Sequence, residues 1–287
     1  MARAGFKVAL QYALPHRFLS RVVLWATRWT FAPWKNFLIG QIVQRYRVDL
    51  AEAQNPDPFA YPHFNAFFTR TLKPGARPSP ADPEAIACPA DGRISQAGPI
   101  EDGRILQAKG QSFSVAELLG DDAAAHAYAG GSFLTVYLSP RDYHRVHMPL
   151  AGELVETVHI PGRIFSVAPF AVAAIPRLFA RNERLVCHFR GERGPFVVVL
   201  VGAMLVSGIE TVWRGVEVPP YASQITRRDY RAAAVRLARG AEMGRFNMGS
   251  TAIVLVPDAI GQISSELMPE QAVRVGVRVG IQRLVKM

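Results

Sequence analysis

At 287 residues, with 49% hydrophobic and 20% charged side chains, the chain is long enough for a full core and too apolar for general disorder. Its two cysteines, Cys88 and Cys187, stand far apart and outside any Cys-x-x-Cys pair. That excludes a disulfide framework and a cysteine zinc site, fits a reducing compartment, and leaves two ordinary buried thiols. The net charge of +10 is uneven: residues 1–50 hold eight Lys and Arg against the single acid Asp49, with three of the four tryptophans.

From Pro15 to Thr30 the apolar spacing predicts a helix, with Leu19, Val22, Val23, Ala26 and Trp29 on one face. Arg17, Arg21 and Arg28 fall almost opposite, and Leu24 breaks the pattern. Residues 37–46 give a second amphipathic stretch carrying Leu38, Ile42, Val43 and Tyr46. Basic residues interleaved with Trp suit an anionic membrane surface, where each contributes on the order of 1 kcal/mol. The competing reading is a helical cap whose apolar face packs on the core. The apolar run from Val22 to Ala26 is far short of the roughly 20 residues a membrane span needs. No secretory signal stands at the start. No recognition-helix, RNP or zinc-finger pattern supports nucleic-acid binding. Peripheral attachment to the cytoplasmic face of the cell membrane is therefore expected.

Asn55-Pro56-Asp57-Pro58 closes this part with turn residues, and 64–72 reads as a short helix. Residues 74–89, rich in Pro, Ala and Asp, read as a surface linker. We therefore divide the chain into a helical segment, 1–73, and a β-rich domain, 74–287. Strands are expected at 93–97, 104–108, 132–138, 153–160, 185–190, 196–206, 251–256 and 273–281. Residues 165–180 read as a helix interrupted at Pro169 and Pro176. Many short strands between Gly and Pro favour an antiparallel sandwich or barrel, an α+β fold overall.

Ser139-Pro140-Arg141-Asp142 predicts a helix start, with Ser139 as cap and Pro140 in the first turn. One turn would set His144 and His147 on the same side before Pro149 stops it. No third ligand stands nearby, so no metal is expected. As proton carriers, the two histidines would divide between a serine and a later reaction. A base needs a carboxylate to hold its tautomer, and Pro89-Ala90-Asp91-Gly92 offers Asp91. Asp91 is equally readable as a turn residue opening a strand.

Gly244-Arg245-Phe246-Asn247-Met248-Gly249-Ser250-Thr251 then runs into the apolar stretch Ala252 to Val256. Gly249 puts no side chain in the way of the Ser250 hydroxyl and tolerates a strained backbone. Attack by Ser250 on the Gly249 carbonyl turns the peptide bond into an ester. Elimination then cuts the chain and leaves a dehydroalanine at residue 250, whose imine form is hydrolysed by water to a pyruvoyl group with loss of ammonia. The alternative is a glycine turn entering a strand. A cut made once per molecule tolerates a barrier near ~22 kcal/mol, or roughly half an hour.

Taken together, these pieces resemble the phosphatidylserine decarboxylase proenzymes of the membrane-associated bacterial type. The likeness covers nearly the whole chain. It includes the 64–71 segment, Pro89-Ala90-Asp91-Gly92, the run from Tyr137 to His147, Gly162-Arg163-Ile164-Phe165-Ser166-Val167, Val201-Gly202-Ala203 and the Gly244–Thr251 motif. Met248 stands where many members have leucine, and Val206-Ser207-Gly208-Ile209 departs from the family's usual Val-Gly-Ser-Ile order. The resemblance implies that Asp91, His147 and Ser250 form the self-processing triad, that the cut falls between Gly249 and Ser250, and that His144 assists decarboxylation. It implies covalent pyruvate as cofactor, phosphatidylserine as substrate, and phosphatidylethanolamine and carbon dioxide as products. It also implies a heterodimer of the two cut chains that dimerises further. Two other readings remain: a pyruvoyl decarboxylase of a soluble amino acid, and a membrane-surface β-domain that binds or scaffolds without chemistry.

Overall fold

The computed structural model describes residues 9–204, 208–219, 221 and 223–283. The helices His16–Arg28, Ala32–Tyr46 and Phe64–Phe68 come first, and antiparallel strands dominate after them. The expected α+β class is what folds, with open sheets and no closed barrel among the described residues.

The principal sheet has nine strands. Across it run Thr226–Asp229, Gly152–Ile160, Arg184–Gly191, Gly194–Val201, Ser250–Val256, Ser132–Leu138, Gly92–Pro99 and Ala272–Val273, with Arg236–Leu237 also paired to Gly152–Ile160. Its middle strands are apolar at nearly every position because both faces are covered. Leu134, Val136, Leu138, Ala252 and Val254 enter one core; Phe133, Ile253 and Leu255 enter the other. The first core is closed by two smaller sheets. One has the order Gly215–Val218, Ile209–Thr211, Glu242–Phe246, Arg145–His147, and the other Ala85–Ala87, Arg278–Gln282, Gly261–Ile263. The second core is closed by the Arg104–Ala108 and Gln111–Ser114 hairpin and by short helices at Val115–Leu119, Pro169–Val172 and Leu178–Arg181. A third, smaller cluster gathers Ile39, Val48, Phe64, Phe67 and Phe68 under the N-terminal helices.

Several expectations need correction. The strand read at 273–281 is two strands in different sheets, Ala272–Val273 and Arg278–Gln282. Between them Gly276 has φ +85°, and a β-carbon there would stand 2.1 Å from the Pro78 carbonyl oxygen, so the alternation is interrupted by a turn that only glycine fits. The 74–89 stretch is not all surface linker: Ala85–Ala87 is a buried strand, and Cys88 is fully buried. The strand expected at 196–206 ends at Val201, and Val206 and Ser207 lie outside the described residues. The helical turn expected after Ser139 does not form. Asp142 instead accepts hydrogen bonds from the Ser139 amide and hydroxyl, both at 2.7 Å, and the chain goes on as the strand Arg145–His147. This carboxylate closes a tight turn where a helix start would have used the same residue types.

Candidate active site

Backbone pairing puts the histidine segment against the Gly-Ser segment at two points. Ser250 pairs with Leu138 across the principal sheet, and the Phe246 amide donates to the His144 carbonyl at 3.0 Å. Residues 247–249 cross from one sheet to the other between those two anchors. Met248, half-buried, packs against both the second core and the N-terminal cluster.

The strain expected at Gly249 resides one residue earlier. Met248 has φ +118°, whereas Gly249 lies outside the left-handed range. A non-glycine residue held there costs on the order of 1–3 kcal/mol. Asn247 next to it is fully buried and clamped from both ends: its Nδ2 donates to Glu210 Oε1 at 2.8 Å, and its Oδ1 accepts from Asn65 Nδ2 at 3.0 Å.

His144 is fully buried, with its ring 4.0 Å from that of Phe68. Its Nδ1 lies 2.8 Å from the Asp142 carbonyl oxygen, which can only accept, so Nδ1 carries the proton. Burial pushes its pKa down to about 3, against the backbone hydrogen bond, and the charge of Arg70 lowers it further. The ring is therefore neutral at pH 7 and Nε2 is a bare acceptor. That atom stands 3.9 Å from where a β-carbon on Gly249 would be, and no hydrogen bond reaches it. The Ser250 hydroxyl, also fully buried, is without a hydrogen bond as well. Buried polar atoms are ordinarily paired, so two orphans beside one peptide bond mark a functional place.

His147 faces other partners. Its Nδ1 lies 2.8 Å from the Gly240 carbonyl oxygen, and its Nε2 is 3.1 Å from the Tyr143 hydroxyl. Burial lowers its pKa; the bond to Gly240 and the carboxylates of Glu242 and Asp91 work the other way. Asp91 is held by Arg77, with Nε at 2.9 Å from Oδ1 and Nη2 at 2.5 Å from Oδ2, and it accepts the Val275 amide at 2.8 Å. Thus the structure brings His144 to the Gly249–Ser250 bond and Asp91 into the electrostatic field of His147. No hydrogen bond joins Asp91 to His147, or either of them to Ser250, among the described residues. His144 and His147 are bonded to different neighbours because strand, not helix, separates them.

Sequence reasoning missed Arg77, Tyr143 and Asn65, which bond to Asp91, His147 and Asn247, and Arg70, whose charge acts on His144. Each is an unremarkable residue type in its own segment, and only the tertiary pairing gives it a role. Both cysteines are buried and free, and burial pushes the Cys88 thiol up to about 12.

The model of the phosphatidylserine decarboxylase family matches residues 64–281, and a second, described as PSD, matches residues 6–47. A phosphatidylserine decarboxylase proenzyme of Xanthomonas axonopodis pv. citri is 61% identical over 269 residues, 93% of this chain and 96% of that protein. The proenzyme of Xanthomonas campestris pv. campestris (strain 8004) is 60% identical over 269 residues, 93% of this chain and 95% of its own. That of Xylella fastidiosa is 56% identical over 272 residues, 95% and 93% respectively. With a motif-bearing core and an N-terminal part both matched, the chain belongs to the phosphatidylserine decarboxylase family.

Proposed function

We propose that the chain is a proenzyme that cuts itself between Gly249 and Ser250 and then decarboxylates phosphatidylserine to phosphatidylethanolamine at an anionic membrane surface. Within the chain, the observation that carries this is the pair of orphaned, buried atoms, Ser250 Oγ and His144 Nε2, flanking Gly249.

Ser250 Oγ attacks the Gly249 carbonyl, and its proton must go to a base whose protonated form the protein stabilises. We assign that step to His147. Burial lowers the pKa of both histidines, but at His147 the Gly240 hydrogen bond and the carboxylates of Glu242 and Asp91 work against it, while at His144 the charge of Arg70 adds to it. His147 must first exchange its Tyr143 partner for the serine hydroxyl, a rearrangement that a once-only, slow reaction tolerates. The strained Met248 adds driving force for opening the segment.

A pyruvoyl group made from Ser250 fits this place. It would stand at the head of the Ser250–Val256 strand, held by pairing to Leu138 and flanked by His144. When present, its ketone supplies the electron sink for decarboxylation. His144, neutral and with Nε2 open, then exchanges a proton at that position, and the apolar wall of Phe68 excludes water from it.

Membrane attachment falls to the 1–73 segment. The His16–Arg28 helix buries its polar residues His16, Ser20 and Thr27 and leaves Phe18, Val22 and Trp25 exposed. Trp29, Phe31 and Phe37 extend that surface, with Trp25 stacked on Trp29 at 5.4 Å. An aromatic face turned outward beside exposed Arg17 and Arg21 matches an interfacial helix. No helix among the described residues is long and apolar enough to cross a membrane. The test of the whole reading is Ser250→Ala, which should remain a folded single chain without decarboxylase activity; a cut chain would contradict it.

A further inference from the structure

Beside the cleavage segment lies a cavity of about 360 Å³ whose lining includes Arg28, Asn65, Arg70, Arg145, Arg245 and Glu210. Most of its charge is already paired. Arg28 and Arg245 both bind Glu210, at 3.0 and 2.5 Å, and Arg145 binds Glu242 at 2.7 Å. Arg70 is different. It is 4% exposed, makes no ion pair among the described residues, and its Nε and Nη1 have no hydrogen-bond partner. Its one polar contact is Nη2 to the Arg141 carbonyl oxygen at 3.2 Å. A buried guanidinium with two unpartnered donor atoms costs free energy that a bound anion would offset once the side chain turns toward it.

The cavity is connected to the chemistry through two residues. Asn65, in its wall, donates to Asn247 two positions before Gly249. Phe68, two residues before Arg70, packs on His144. Arg28, also in the wall, sits on the helix that exposes Trp25. The cavity wall therefore includes a residue of the helix that bears the aromatic surface and a residue bonded to the segment leading to Gly249.

Resting on the reading under Proposed function, we infer that Arg70 is the substrate-binding residue that receives the phosphodiester of the lipid head group. The head group carries two anions, a phosphodiester and a carboxylate. A guanidinium closed on the carboxylate would stabilise charge that is lost as carbon dioxide leaves, and so would slow the reaction. The phosphodiester keeps its charge throughout and suits the planar donor fork of arginine.

The test uses full-length matured enzyme with detergent-dispersed phosphatidylserine. It is compared with an analogue in which serine is ether-linked to the same diacylglycerol without phosphate. For Arg70→Met, the kcat/KM ratio of phosphatidylserine to the phosphate-free analogue should fall roughly 10- to 100-fold, through KM. Arg70→Lys, which keeps the charge and loses the fork, should fall between. Inorganic phosphate that competes with the wild type and competes poorly with Arg70→Met assigns a site open to phosphate of either source. A fallen ratio without such competition assigns it to the lipid phosphodiester alone. A ratio held at the wild-type value in both variants, or equal losses on both substrates, overturns the inference. Should Arg70→Met fail to fold, Arg70→Lys alone carries the comparison. Failure of the underlying reading looks different: wild-type protein would be an uncut chain that decarboxylates neither substrate.

Discussion

His144 presents its Nε2 3.9 Å from the β-carbon position of Gly249, with no intervening hydrogen bond and no room demanded by a side chain. An alanine at 249 would meet only the Leu138 carbonyl oxygen at 3.6 Å and this nitrogen, which are ordinary contacts. Glycine is thus required less by packing than by access to its carbonyl. Gly249→Ala should fold to a precursor of nearly wild-type melting temperature and be cut at least about tenfold more slowly, one methyl group beside the attacked carbon costing about 1.4 kcal/mol of barrier. A time course of chain cutting after cell-free synthesis measures it.

The two histidines should separate by phenotype. His147→Ala removes the base favoured by Asp91 and Glu242, and cutting should slow by roughly 100-fold or more. His144→Ala should still be cut, and the cut product should turn over phosphatidylserine at a rate lower by a similar factor. Gel separation of the chains reads the first effect, and carbon dioxide release per cut molecule reads the second. Cutting abolished by His144→Ala and spared by His147→Ala would reverse the assignment.

Acidity provides another check on the same step. His147 titrates below its ordinary 6.5 because it is buried, so its basic form is complete at neutral pH. His144, at about 3, stays neutral over the same range. The rate of cutting should be level from pH 8 to about 6.5 and decline on further acidification. A decline already complete by pH 7 would point to a different base.

Stability should respond to acid through His188, which lies on the Arg184–Gly191 strand away from the site. Burial lowers its pKa to about 4, with Arg227 adding to the effect and Asp121 opposing it. Below pH 6.5 the unfolded chain therefore binds a proton that the folded one refuses, and stability falls as pH drops from about 6.5 toward 4. In the Ser250→Ala background, His188→Gln should lessen the loss of melting temperature over that window by about 2–4 °C, the equivalent of roughly 1 kcal/mol. An unaltered slope would mean that the group is not protected in the fold.

The aromatic surface can be tested without disturbing the helices beneath it. Residues 32–46 cover Phe64, Phe67 and Phe68, so deleting the N-terminus would damage the core next to Met248. Phe18→Ser with Trp25→Ser changes only exposed side chains. Activity on anionic vesicles should fall at least tenfold, while activity on detergent-dispersed lipid should change by less than about twofold, since two large apolar groups lose roughly 2 kcal/mol or more of insertion. Equal losses in both assays would deny the helix this role.

Much of this molecule was legible in its residues. Period-two and continuous apolar runs located the Ser132–Leu138 and Ser250–Val256 strands within a residue, because burial on both faces leaves a strong apolar signature. The split near Gly276 was hidden, since alternation continues in sequence through a turn that only the Pro78 backbone makes necessary. The histidine turn misled for a chemical reason: Ser139 and Asp142 close a hairpin-like turn with the same bonds that cap a helix. By residue type strain belongs at Gly249, where glycine permits it, yet it sits at Met248, whose side chain packs between two clusters. Arg77 and Arg70 carried no local signal at all. Their importance comes from what the fold leaves beside Asp91 and the cavity wall.

The conversion of Ser250 into a reactive ketone is the central claim, and borohydride reduction coupled to intact-mass analysis tests it most directly. Active wild-type protein should resolve into two chains, the smaller spanning residues 250–287 with a blocked terminus that gains the mass of reduction and loses activity in parallel. Fully active protein that is a single chain, or whose smaller chain begins with an unmodified serine and ignores borohydride, would contradict the account.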